Sequence, residues 1–204
     1  MKISKVGMNL IKEFEGCQLK AYKCPAGIWT IGIGHTGTID GKPVCAGMTI
    51  TQEKAEQLLS ECLEKRYEPA VRKFTGLNQN QYDALVSFCY NLGPGIFKGN
   101  LLGAINAKDW NSVANQMLLY NKARVNGVFT ELKGLTRRRE AERKLFLKEA
   151  EEVVKKVTIK LNGVEKNVDA IEKDGHNYVK LQDLRDGMID IGYDSMPIIK
   201  VKVK

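Results

Sequence analysis

The sequence predicts an α+β fold: an N-terminal helix, a small antiparallel sheet and a helical bundle, followed by a small β-rich module. Three observations carry that prediction. Apolar residues recur at helical spacing before Gly16 and again after Thr51. Between those runs the period shortens among Gly and Thr. Past Lys156 an alternating pattern with hairpin turns replaces the helical one. With 204 residues, 43% of them hydrophobic, the chain has material for a packed core, so wholesale disorder is excluded. The change of texture divides it into a larger domain, residues 1–150, and a small module, residues 157–204.

Each element has its own signal. Ser4 caps a helix on which Val6, Leu10 and Phe14 share a face, with Ile11 beside it, and Gly16 ends it. Leu19, Ala21, Ile28, Ile31 and Ile33, punctuated by Pro25-Ala26-Gly27 and Asp40-Gly41, read as a curled antiparallel sheet from about Leu19 to Val44. Ala55, Leu58, Leu59, Cys62 and Leu63 then repeat every three or four residues, and Pro69 ends or bends that helix. Asn78 with Gln81 forms a capping box for a helix that stops at Gly93-Pro94. Further helices are expected near 97–107 and 109–121. A last one runs from Thr136 to about Lys156, its charged end joining the two parts. In the small module, Val157–Leu161 alternates, Asn162-Gly163 turns, and a second run reaches Ile171. Asp174-Gly175, a helical piece near Leu181–Arg185 and a strand at Ile198–Val203 complete about 48 residues, marginal for independent stability.

Charge and cysteines narrow the function classes. Residues 157–204 carry eight Lys/Arg and eight Asp/Glu, so the whole net +8 falls on residues 1–156. A polyanionic partner is implied: nucleic acid, an anionic membrane or a bacterial wall. The plainer reading of the excess is a solvated basic surface. Cys17, Cys24, Cys45, Cys62 and Cys89 are too sparse for a disulfide scaffold and lack metal-ligand spacing, so no metal or other cofactor is expected. Such cysteine usage fits synthesis in a reducing cytosol. The first residues do not read as a signal peptide, and no window reaches the length of a membrane span.

Glu15 is the last residue before Gly16. The negative end of the helix dipole disfavours an ionised carboxylate there, which suits a group that must donate a proton. Taken alone this signal is weak, because a Glu at a helix end is far more often a solvated surface residue. Eight residues separate Glu15 from Cys24, and five separate Cys24 from Thr30. A helix end, a strand and a tight turn would fold the three toward one cleft. The alternate glycines of Trp29-Thr30-Ile31-Gly32-Ile33-Gly34-His35 suit a curled strand that another chain approaches, and a saccharide would fit.

These residues resemble the bacteriophage lysozymes or endolysins of glycoside hydrolase family 24. That family carries Glu, eight residues, Asp or sometimes Cys, five residues, then Thr. Asp83-Ala84-Leu85-Val86-Ser87-Phe88-Cys89-Tyr90-Asn91-Leu92-Gly93 and Gly134-Leu135-Thr136-Arg137-Arg138-Arg139-Glu140-Ala141-Glu142 also match, in order, over roughly residues 4–148. The resemblance implies a lysozyme-like fold that cleaves the β-1,4 bond between N-acetylmuramic acid and N-acetylglucosamine in peptidoglycan. Glu15 would protonate the leaving oxygen, Thr30 would hold the attacking water, and Cys24 would stand where Asp is usual. A thiol with a pKa of about 8.5 is only partly ionised at neutral pH. Cys24 therefore acts as a thiolate base or nucleophile, forms a neutral polarizable wall, or marks a weakened site.

The same resemblance makes His35 structural, pairing with a carboxylate below the cleft, and sets Arg138 beside Glu15 as electrostatic support. Ser87, Asn91 and Trp29 become substrate-binding candidates. Asn91 is otherwise a helix cap, and Trp29 is otherwise a cover for the sheet. The C-terminal stretches Val157–Lys160, Asn162–Val164 and Asp174–Leu181 resemble small modules of clostridial cell-wall hydrolases, which implies wall targeting or self-association as a homodimer. An endolysin would be made in the host cytoplasm and reach the wall after a separate protein permeabilises the membrane. Two other readings stand beside hydrolysis: a non-enzymatic basic wall or membrane binder, and a lytic transglycosylase on the same fold. Thr30 argues against the latter, which needs no positioned water. No recognition motif supports nucleic acid.

Overall fold

The computed structural model describes residues 1–149, 154–161, 164–173, 176–179, 189–194 and 196–201. Two compact units divide the chain, Met1–Ala150 and Glu151–Lys204. In the first, helix α1 (Lys5–Glu15) leads into strands β1 (Gln18–Lys23) and β2 (Trp29–Gly32), then β3 (Thr38–Ile39) and β4 (Lys42–Pro43). Helices α2 (Gln52–Cys62), α3 (Glu68–Val71), α4 (Gln79–Leu92), α5 (Gly99–Asn106) and α6 (Trp110–Leu118) follow. A hairpin, β5 (Lys122–Val125) and β6 (Val128–Glu131), precedes the last helix, α7 (Lys133–Phe146).

Helix α1 starts as expected, because the Ser4 hydroxyl accepts from the Val6 and Gly7 amides. Ser4 also binds Asp83 of α4 through both its amide and its hydroxyl, so the cap ties α1 to α4. The buried stripe differs from the predicted one. Gly7 and Ile11 are inside, Leu10 and Phe14 are half-buried, and Val6 is 54% exposed. Gly7 carries no side chain, and that lets Asp83 close on this face. At the other end, Gly16 adopts φ 71° and returns its amide to the Lys12 carbonyl.

The expected sheet is two antiparallel ribbons, β1 with β2 and β3 with β4. The first is irregular between Gln18 and Tyr22, which curls it. Beneath the ribbons, Ile31, Ile39, Val44 and Leu58 form a small core. Pro69 bends its helix: it lacks an amide hydrogen and clashes with the preceding turn, and Leu63–Tyr67 widens into a π-helix just before it. Helix α4 begins with the capping box at Asn78 and Gln81, and every residue from Gln81 to Cys89 is buried. It is the axis around which α1, α3 and α7 pack.

Two features depart from expectation. Asn126 and Gly127 both take positive φ and turn a hairpin between the helix expected to end near 121 and the one expected to begin at Thr136. Helix α7 starts at Lys133 and ends at Phe146, not near Lys156. Phe146 is its last buried residue, the next apolar one, Leu147, is 39% exposed, and propensity alone does not extend a helix. The chain at Val154 is already strand.

In the second unit, β7 (Val154–Leu161), β8 (Val164–Lys173) and β9 (His176–Val179) form an antiparallel sheet, with Val157 opposite Val168. Strands β10 (Ile189–Asp194) and β11 (Met196–Val201) form a separate hairpin. Val168 and Ala170 are buried. The turns at Asn162-Gly163 and Asp174-Gly175, the helical piece near Leu181–Arg185 and the end of the last strand at Lys202-Val203 lie outside the described residues.

Candidate active site

The end of α1 presents Glu15 to solvent, its side chain 28% exposed. Glu15 Oε1 accepts from Arg138 Nη1 at 2.6 Å, across 123 residues of sequence. Arg138 is 4% exposed and comes from α7. Its guanidinium also spreads over the Phe14 ring at 5.5 Å, and Arg137 lies over the same ring at 5.3 Å. No other hydrogen bond to the Glu15 carboxylate occurs among the described residues, which leaves Oε2 open to an incoming group.

Behind this pair sits a buried ionic cluster. Arg138 Nε meets Glu142 Oε1 at 3.2 Å, and Arg139 Nε meets Glu142 Oε2 at 2.9 Å. Ser87 of α4 donates its hydroxyl to Glu142 Oε1 at 2.8 Å. Arg139 Nη2 reaches both Glu142 Oε1 and Asn91 Oδ1, while its guanidinium stacks over Phe88. Burial pulls Arg139 down to about 10, and it remains cationic at neutral pH. Burial pushes the Glu142 carboxyl up against the opposing pull of Arg139, Arg138 and the Ser87 hydroxyl.

Cys24 and Thr30 meet at the other end of the β1–β2 ribbon. Gly27 N–H donates to the Cys24 carbonyl and Cys24 N–H to the Ile28 carbonyl, closing a tight turn. Thr30, opposite Tyr22 in the ribbon, is buried, and its hydroxyl donates to the Ile28 carbonyl at 3.0 Å. Hydrogen bonds from the Ile28 and Ala26 amides, and then from the Thr30 hydroxyl, hold the Cys24 thiol below its ordinary value. That hydroxyl has one proton, so it serves the Ile28 carbonyl or the sulfur but not both. Among the described residues no hydrogen bond joins Glu15 directly to Cys24 or Thr30.

The other candidates fall differently. Ser87 is fully buried against Glu142, so it supports α7 and cannot touch a substrate. His35 pairs through Nε2 with the Thr38 carbonyl at 3.2 Å and not with a carboxylate, because it sits in the turn that its own backbone closes with Ile31. Asn91 is half-buried and held by Arg139. The cap of α4 is Gly93, so the capping reading of Asn91 does not apply. Trp29 packs on the small ribbon core and carries Lys23 Nζ at 5.4 Å from its ring.

Three residues outside the predicted site set lie beside it: Tyr90, Glu142 and Arg139, the last of which the sequence leaves evenly balanced between a role at the site and a solvated helix face. Tyr90 donates its hydroxyl to the Ile33 carbonyl at 3.2 Å, and burial and the Glu15 charge push its phenol up. All three lie inside the stretches Asp83–Gly93 and Gly134–Glu142, where the motif was visible but the inward-facing positions were not.

Comparison with known proteins covers the first unit. The family model for phage lysozyme matches residues 12–142. The endolysin of Salmonella phage P22 is 45% identical over 150 residues, spanning 72% of this chain and 99% of that protein. The solved endolysin of Escherichia coli O157:H7 phage FAHEc1 superposes with a TM-score of 0.65 at 41% identity, covering 72% of this chain and 94% of that one. The muramidase domain of SpmX from Asticaccaulis excentricus gives a TM-score of 0.65 at 39% identity, over 72% of this chain and 99% of the other.

Proposed function

The chain belongs to the phage lysozyme family, and from that premise we propose a division of labour among its own residues. It is a peptidoglycan hydrolase, a glycoside hydrolase of the lysozyme or muramidase type that acts on the bacterial cell wall. Glu15 is the general acid. Its proton passes to the glycosidic oxygen as the bond to the anomeric carbon breaks and the electron pair leaves with that oxygen. The observation that carries the assignment is the pairing of a solvent-facing Glu15 with a buried Arg138 on a different helix. That contact fixes the carboxyl's direction and leaves Oε2 without a hydrogen-bond partner among the described residues.

Thr30 donates its proton inward to the Ile28 carbonyl and so keeps its oxygen as an acceptor for a water hydrogen. The water's own lone pair is then left for the anomeric carbon. Cys24 takes the place of the base: the turn amides lower its thiol and so favour the charged form, the form that can steady the positive charge of the oxocarbenium-like transition state and accept the water's proton. Asn91 keeps an amide donor free after its oxygen is taken by Arg139, and with Trp29 it contacts sugar.

Synthesis in the host cytoplasm, with release to the wall by a separate membrane-permeabilising protein, is consistent with free cysteines at all five positions. Residues 157–204 serve wall binding or self-association as a homodimer, and the net +8 of residues 1–156 suits the anionic wall, while no recognition motif supports nucleic acid.

The test is mass analysis of fragments released from purified peptidoglycan by wild type, Glu15→Gln and Cys24→Ala. New reducing N-acetylmuramic ends from wild type, and none from either variant, are expected. Full activity in Glu15→Gln would overturn the assignment of the acid. Activity retained in Cys24→Ala would leave Glu15 and Thr30 as the working pair.

A further inference from the structure

We propose that Glu142 is a positioning residue that neutralises the charge of Arg138 toward Glu15, so that Glu15 can hold the proton it must donate. The inference rests on the reading of Glu15 as general acid and adds a residue to it.

The geometry sets the problem. Arg138 reaches Glu15 through Nη1 at 2.6 Å, and a lone guanidinium so close strongly favours the ionised carboxylate, which is useless as an acid. Arg139, fully buried next to it in the chain, adds a second positive charge. Glu142, also fully buried, meets both arginines, taking Arg138 Nε at 3.2 Å and Arg139 Nε at 2.9 Å. One guanidinium thereby serves two carboxylates, and its charge is shared between them. Ser87 holds the Glu142 oxygen that Arg138 Nε meets, donating to it from α4 at 2.8 Å.

Other groups facing Glu15 do not change charge over the working range. Tyr90 of α4 and Tyr67 of the π-helix both feel the Glu15 charge, and burial pushes both phenols up, so they stay neutral. Arg137 on Phe14 stays cationic throughout. Glu142 is thus the counter-charge that decides how much of Arg138 acts on Glu15.

The experiment is the pH profile of kcat/KM for wild type and Glu142→Gln on soluble glycan strands prepared from peptidoglycan. Glutamine keeps the shape, and its amide oxygen still accepts from Arg138 Nε. With the counter-charge gone, the alkaline limb moves about one pH unit toward acid, as expected when a carboxylate sharing a site is neutralised. Activity then falls about tenfold at the old limb, while the plateau below it and KM stay within about twofold. A folded variant with an unmoved limb overturns the proposal, since a merely structural role lowers the amount of active protein without moving the profile. Carboxyl 13C NMR of the wild type gives a second reading that needs no variant. Glu142 is expected ionised at neutral pH, and a protonated Glu142 overturns the proposal. Glu15→Gln separates the two levels: if it stays active, the general-acid reading has failed, whereas an inactive Glu15→Gln with an unmoved Glu142→Gln limb defeats this inference alone.

Discussion

Replacing Gly7 by Ala puts the packing of α1 on α4 to a test whose sign is opposite to helix propensity. In an unobstructed helix the change stabilises by up to about 1 kcal/mol. Here the added Cβ would lie 2.7 Å from Ile3 Cγ1 and 2.8 Å from Asp83 Cβ and Cγ. Overpacking of this kind costs about 1–3 kcal/mol. Asp83 has little room to retreat, because it is fully buried and holds the Ser4 amide at 2.9 Å as well as the Ser4 hydroxyl. Moving it weakens the cap, with each hydrogen bond worth about 1 kcal/mol. The net expectation is a loss of about 2 kcal/mol, or a fall in Tm of roughly 4–8 °C for a unit of this size. Gly103 in α5 is the matched control: an added Cβ there meets nothing within 4 Å, so Gly103→Ala is expected to stabilise by about 0.5–1 kcal/mol. Thermal unfolding followed by tryptophan fluorescence reads the right unit, because Trp29 and Trp110 are the chain's two tryptophans and both lie in Met1–Ala150. A rise in Tm for Gly7→Ala, or equal shifts of the two variants, would refute the packing argument.

Two further predictions concern the site. Ser87→Ala removes a buried donor from Glu142 and is expected to lower stability by about 1–3 kcal/mol while leaving KM unchanged. A raised KM with unchanged stability would return Ser87 to the substrate. Alkylation tracks the thiolate, so Cys24, whose thiol is held down by the Ile28 and Ala26 amides, should be modified at a lower pH in the folded protein than after denaturation. Cys89, pushed up to about 11 by burial, should stay unmodified until the protein unfolds. Mass mapping of both sites against pH checks the pair, and a folded Cys24 that reacts only at higher pH than the unfolded chain would contradict the turn's effect.

Local signals in the sequence translated well into structure. The Ser4 cap, the Gly16 stop and the Asn78–Gln81 box each depend on residues within four positions of one another, and each forms as written. The Asn126-Gly127 hairpin was equally local and carried a strong turn signal that the reading passed over. Of the site, the Glu15, Cys24 and Thr30 spacing and the stretches around Ser87 and Arg138 were visible as pattern and resemblance. Which side of α4 or α7 each motif residue faces is not, so Ser87 meets Glu142 and not a substrate, while His35 meets the Thr38 carbonyl because its turn folds back on Ile31.

By itself the sequence determined the order of helices and strands in the first unit, the family and the hydrolytic function, because periodicity, caps and motif spacing are written in residues close along the chain. Only the tertiary structure decided that α1 buries Gly7 and Ile11, that α7 stops at Phe146, and that Glu142 stands between Arg138 and Arg139 behind Glu15. Those outcomes depend on contacts such as Ser87 with Glu142, 55 residues apart, and Glu15 with Arg138, 123 apart. Burial of charge is decided by what surrounds a residue in space, and no spacing along the chain encodes that surrounding.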